Sequence, residues 1–148
     1  MDADMSPEMA HQVLEMLTGG GSMDNINTSL ALRLIPLAQD LGKEELIERL
    51  LEHATKVARN EEERGWARFE ALKVMEAGLD SFVRLAEEAE SIEQAQALTA
   101  AVHHYVALLY LAEARLDEAR ATAQHALRVR QTTNDKRGLA YGTVSYTH

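Results

Sequence analysis

The chain has 148 residues, enough for one ordinary domain with a real core. It holds no cysteine, which excludes disulfides, thiolate metal sites and cysteine catalysis. No apolar run nears the roughly 20 residues a bilayer span needs, and no signal-peptide pattern heads the chain, so a cytoplasmic location is expected. The net charge of −9 argues against nucleic acid or an anionic membrane as main partner, because both need a dominant basic face. Acids are concentrated at the start: residues 1–22 carry Asp2, Asp4, Glu8 and Glu15 with no Lys or Arg. Alanine, leucine and glutamate dominate, aromatics are few, and the only prolines are Pro7 and Pro36, a helical composition.

In chain order, the first helix signal is "SPEMAHQVLEML", with Ser6 as N-cap, Pro7 in the first turn and Glu8 against the positive helix end. Its apolar residues Met5, Met9, Val13, Met16 and Leu17 form one stripe. A helix this short is marginal alone in water and must lie against something. "TGGGS" follows, then "NTSLALRLIPLAQDLG", in which Pro36 is expected to kink or split the helix near Leu32. "KEELIERLLEHATKVARN" comes next, and Asn60 can cap "EEERGWARFEALKVMEAG". A shorter helix is expected from Leu79 to about Glu90. Ser91 with Gln94 reads as a capping box for "IEQAQALTAAVHHYVALLYLAEA". The helix "LDEARATAQHALRVRQ" is expected to end at "TTND", leaving "KRGLAYGTVSYTH" as an unfinished start. Nothing reads as strand, so the expected class is all-α, with short connections making consecutive helices antiparallel neighbours.

Self-similarity is the informative feature. "EHATKV" at Glu52–Val57 returns as "QHALRV" at Gln124–Val129, two periods of 36 later, with Ala89 near the midpoint. The turns "EAGLD" and "EARLD" repeat too, with "DLGKEEL" in the corresponding place around Gly42. The stretch "AVHHYVALLYLAEARLDEARATAQHALRV" resembles a tetratricopeptide repeat, with Ala107, Tyr110, Ala119 and Ala126 at its small and aromatic positions. Units at 61–90 and 28–59 match more loosely, keeping Ala86 and Ala89 in one and Gly42 and Ala54 in the other, and the proline usual at a repeat end is missing. The resemblance implies a short α-solenoid of helix-turn-helix repeats, a protein-interaction adaptor whose A helices line a concave groove. An unrelated helical bundle is the competing reading.

The resemblance also implies which residues face that groove: Leu32; Arg64, Ala67, Ala71, Val74 and Met75; and His104, Leu108, Leu111 and Ala112. The expected partner is an amphipathic, acidic, Met/Leu-rich helix, with Met5, Met9, Val13, Met16 and Leu17 as the anchors of one carried in the same chain. On this reading residues 1–18 are a tethered partner peptide, 19–27 a flexible, engineered Gly/Ser linker, and 28–148 the repeat domain with its last repeat incomplete. The alternative is that residues 1–18 form a natural N-terminal cap. A different functional class, a peptide- or ligand-sensing regulatory domain of a larger signalling protein, also fits.

Chemistry-bearing motifs are sparse. "TGGGS" lacks the Lys and the preceding strand of a phosphate loop. His103 and His104 are adjacent, about 100° apart on a helix, with no carboxylate four residues away, so no metal or cofactor is expected. His53 and His125 recur with the repeat and read as packing residues. Glu61, Glu62 and Glu63 favour a helix start. No nucleophile–base–acid spacing emerges, so no enzyme is expected. The open end of the array suggests a homodimer through residues 102–145.

Overall fold

The computed structural model describes the backbone of residues 6–141 and the side chains as far as residue 132. It is all-α: α1 (Pro7–Thr18), α2 (Thr28–Asp40), α3 (Glu44–Lys56), α4 (Glu61–Val74), α5 (Leu79–Glu90), α6 (Gln96–Ala112) and α7 (Leu116–Tyr141), with no strand among the described residues. Helices pack on their neighbours in sequence, most closely α2 on α3, α5 on α6 and α6 on α7. This is the helix-turn-helix arrangement expected from the repeat. The chain divides into two compact units, Met1–Ala71 and Leu72–His148.

In the first unit, α2 and α3 run antiparallel. The Thr28 hydroxyl at the start of α2 donates 2.7 Å to the Ala54 carbonyl near the end of α3, both residues buried. The core between them holds Ala31, Leu34, Ile35, Ala38, Leu46, Ile47 and Leu50. Of the expected kink or split near Leu32, the split does not occur: Pro36 sits inside a continuous α2. Its ring is exposed and the rest of the ladder continues, so only the Leu32 carbonyl loses its i+4 donor. Asn60 caps α4 as expected, its Oδ1 accepting from the Glu63 amide at 2.8 Å.

Helix α1 packs against α2 in its own chain. Ser6 caps it, accepting from the Met9 amide at 3.1 Å. The expected stripe is buried only in part. Leu14 and Leu17 are fully buried, Val13 half-buried, while Met9 and Met16 remain about half exposed at 55% and 51%. Met5 lies outside the described residues. Burying two leucines is worth about 3–6 kcal/mol, enough to order a helix that would be marginal alone. Arg49 of α3 also donates to the Leu17 carbonyl at 3.1 Å.

The glycines after α1 form a hydrogen-bonded cap. The Gly21 amide donates to the Met16 carbonyl at 2.9 Å and the Gly20 amide to Leu17 at 3.1 Å, the paired bonds of a Schellman motif. Gly20 has φ +94°, and a Cβ on Gly21 would meet the Met16 backbone oxygen at 2.8 Å. Two of the three glycines are therefore required by geometry.

The same motif ends α2, α4 and α6, with Gly42 (φ 69°), Glu76 (φ 55°) and Ala114 (φ 61°) at the left-handed position. Gly42 and Ala114 stand 72 positions apart, the spacing of the "HA" pairs, so the repeat seen in sequence is a repeat of turns as well. The turn after α4 is one residue longer, with Gly78 leading into α5.

In the second unit the ring of Phe82, early in α5, lies 4.7 Å from that of Tyr105 in α6, and the His103 ring of α6 lies 4.6 Å from His125 of α7. Both pairs mark antiparallel neighbours. Buried Phe82, Leu85, Ala86, Ala89, Leu98, Val102, Val106, Ala119 and Ala126 form the core. Two local expectations are corrected. Ser91 ends α5, its hydroxyl donating to the Glu88 carbonyl, and α6 begins only at Gln96 with no side-chain cap. The polar "TTND" does not stop α7, which runs on to Tyr141; Thr132 satisfies its hydroxyl on the Arg128 carbonyl at 3.0 Å. Residues 142–148 of the tail lie outside the described residues.

These turns make two stability predictions. Ala114→Gly should raise the unfolding free energy by about 1 kcal/mol, because a left-handed non-glycine residue carries roughly 1–2 kcal/mol of strain; denaturant melts measure it. Gly20→Ala should lower it by a similar amount and speed amide exchange at Leu14 and Leu17. A slack linker would show neither effect.

Candidate functional site

The first unit has a cleft of about 400 Å³ between the start of α2 and α4, lined by Thr28, Ser29, Leu32, Arg33, Glu62, Glu63, Trp66 and Glu70. Its position follows from local sequence. Asn60 fixes where α4 starts, which places Glu62 and Glu63 in the first turn and Trp66 and Glu70 on successive turns of one face. Trp66 and Leu32 are both half-buried and form the apolar part. Trp66 is the only tryptophan of the chain. Its ring lies 6.1 Å from that of buried Phe69 in a tilted arrangement that braces it from behind.

The polar part is dominated by acceptors. Three carboxylates line the cleft against one guanidinium, Arg33. Glu63 is held by Arg59, whose guanidinium donates to its carboxylate at 2.9 Å while the Arg59 amide donates at 2.8 Å. The side-chain bond to Arg59 keeps the Glu63 carboxyl below the usual carboxylate range, so it stays ionised in mild acid.

The expected groove residues fare differently. Leu32 lines the cleft. Arg64 is exposed and Ala71 half-buried. Ala67, expected on the inner surface, is 1% exposed and belongs to the core. No surface remains there for a partner to touch. In the second unit Val74 is half-buried and Met75 exposed. On α6, His104, Leu108, Leu111 and Ala112 are all exposed and share one helix face; Leu108 and Leu111 keep 48% and 54% of their surface in water. No α1 residue lines the cleft, so Leu17, buried, and Val13, half-buried, do not act as its occupant.

Trp66, Glu62 and Glu70 were missed by sequence reasoning, which looked for small inner-face residues at this level. The signal was there in "EEERGWARFE": a lone tryptophan four residues from two acids on one helical face.

Among the described residues, the second unit brings Glu90, His103 and His125 together. His125 Nε2 contacts the Glu90 carboxylate Oε1, and His103 stands beside them with its Nδ1 2.8 Å from the Thr99 carbonyl. His53, the repeat equivalent of His125, places its Nε2 2.7 Å from the Ile26 carbonyl.

No protein-family model, no curated protein and no solved structure matches the chain. Among the described residues no helix is long and apolar enough to cross a membrane.

Glu63 also gives a pH dependence. A carboxyl whose folded pKa is depressed contributes stability above the unfolded value, about 4.3, and that contribution is lost as pH falls through the lower folded value. Glu63→Gln should therefore flatten the acid limb of stability below about pH 4, measured by thermal melts across pH.

Proposed function

We propose that this chain is a tetratricopeptide-like interaction module that recognises a partner peptide. The cleft between α2 and α4 is the observation that carries the reading. It joins the half-buried Trp66 and Leu32 to three carboxylates, Glu62, Glu63 and Glu70, on a helical frame. Such a site favours a partner that presents an apolar side chain next to donors, a lysine or arginine beside a leucine or an aromatic.

The acidic Met/Leu-rich helix expected from the sequence is a poorer fit. Its case rested on α1 as the built-in ligand, and α1 buries Leu14 and Leu17 away from the cleft. The Schellman cap after Thr18 supports α1 as an N-terminal capping helix of the repeat domain rather than a fused peptide. The exposed α6 face of His104, Leu108, Leu111 and Ala112 is a second surface a partner can use. A sensing role is supported by the size of the cleft, which falls within the range of small-molecule pockets, about 300–1,000 Å³.

Trp66 serves as its own reporter. Titrating the protein with basic amphipathic peptides should shift Trp66 fluorescence, and a peptide of residues 1–17 should leave it unchanged. Glu62→Lys should weaken binding about tenfold or more, since a reversed charge beside a buried contact costs upwards of about 1.4 kcal/mol. Leu111→Glu should leave that affinity intact. Equal binding of acidic and basic peptides would overturn the reading of the cleft.

A further inference from the structure

We infer that Glu90, His103 and His125 form a binding site for a divalent transition metal, Zn²⁺ being the best match. One ligand atom from each of the three lies within 4.8 Å of the other two. They come from three helices, α5, α6 and α7, so the fold and not local sequence brings them together.

The donor set is chemically specific. Two imidazoles and one carboxylate are the borderline ligands that zinc, cobalt and nickel prefer, whereas calcium and magnesium demand oxygen throughout. Three protein donors leave a coordination position for water, as in open zinc sites. Donors around a tetrahedral zinc stand about 3.3 Å apart, given Zn–N bonds of roughly 2.0–2.1 Å. The three donors therefore stand within side-chain adjustment of that spacing.

His103 is already oriented. The Thr99 carbonyl can only accept, so His103 Nδ1 carries the hydrogen and Nε2 presents its lone pair. A ligating histidine whose second nitrogen is held by a carbonyl is the usual outer-shell arrangement of metal sites. His125 and Glu90 touch through the very atoms a metal would separate and bind.

The repeat provides an independent argument. One double period earlier, the position of His103 is occupied by Ala31, which is fully buried in the α2–α3 core. Packing at this repeat position is therefore met by a methyl group, and the histidine is an addition to it. His125 has the equivalent His53, yet His53 is satisfied by a backbone carbonyl while His125 faces a carboxylate and a second imidazole. Repetition explains the presence of a histidine there but not the company it keeps. Bound metal would clip α7 to α5 and α6.

The test uses the full chain stripped of metal by chelation. Calorimetric titration with Zn²⁺ should give one equivalent bound, and Co²⁺ should show the absorption of a low-coordinate nitrogen and oxygen site. The melting temperature should rise with added Zn²⁺. Glu90→Gln, an exposed change that leaves packing intact, should lower affinity at least about tenfold, as should His125→Ala. His53→Ala should leave affinity unaltered. Absence of binding at millimolar Zn²⁺, or one equivalent bound as tightly by Glu90→Gln and His125→Ala, would overturn the assignment.

Discussion

The structure depends on the close approach of paired helices at a recurring buried alanine. Ala54 and Ala89 are fully buried and Ala126 nearly so, one near the end of each of α3 and α5 and one within α7. At two of them the helix end is also tied by a hydrogen bond: Thr28 donates to the Ala54 carbonyl, and Thr99 to the Ala89 carbonyl at 3.2 Å. A larger side chain there would hold the backbones apart and break a buried hydroxyl–carbonyl pair that has no water to replace it. The left-handed turns complete the constraint at Ala54 and Ala126, where a three-residue connection favours the antiparallel pairing that puts each alanine against its neighbour.

Both candidate sites follow from this spacing. The Thr28–Ala54 bond anchors the first turn of α2, and the residues just after it, Ser29, Leu32 and Arg33, form one wall of the cleft. The Thr99–Ala89 bond does the same in the second unit. It fixes the start of α6 against the end of α5, with Glu90 the next residue and His103 one turn on, hydrogen-bonded to that same Thr99. In each unit the bond that secures the pair also positions the chemistry.

Much of the fold was legible because it is written locally. Ser6 and Asn60 cap as their positions imply, and α5 spans Leu79 to Glu90 as expected. The repeat of "HA" pairs and turns identified the helix-turn-helix plan. The misreadings share a cause: a local preference overridden by tertiary context. Pro36 sits where its exposed ring costs one bond instead of a helix. The threonines of "TTND" bond back within α7. Ser91 serves the helix before it rather than the one after. The α1 stripe was drawn on helical spacing through Met5, Met9, Val13, Met16 and Leu17; Leu17 is buried with Leu14, which the stripe left out, while Met9 and Met16 stay exposed. The Glu90–His103–His125 cluster spans 35 residues and three helices, so no spacing rule could have found it.

The most direct test is to enlarge the recurring alanine. Ala54→Leu and Ala126→Leu, each measured by denaturant unfolding, should lower stability by about 1–3 kcal/mol, the usual range for overpacking a tight helix contact. Thr55→Leu, one residue along on the exposed side of α3, should cost far less. If both alanine variants unfold at the same denaturant concentration as the parent, the helices are not held by that contact, and the origin assigned here to both sites is wrong.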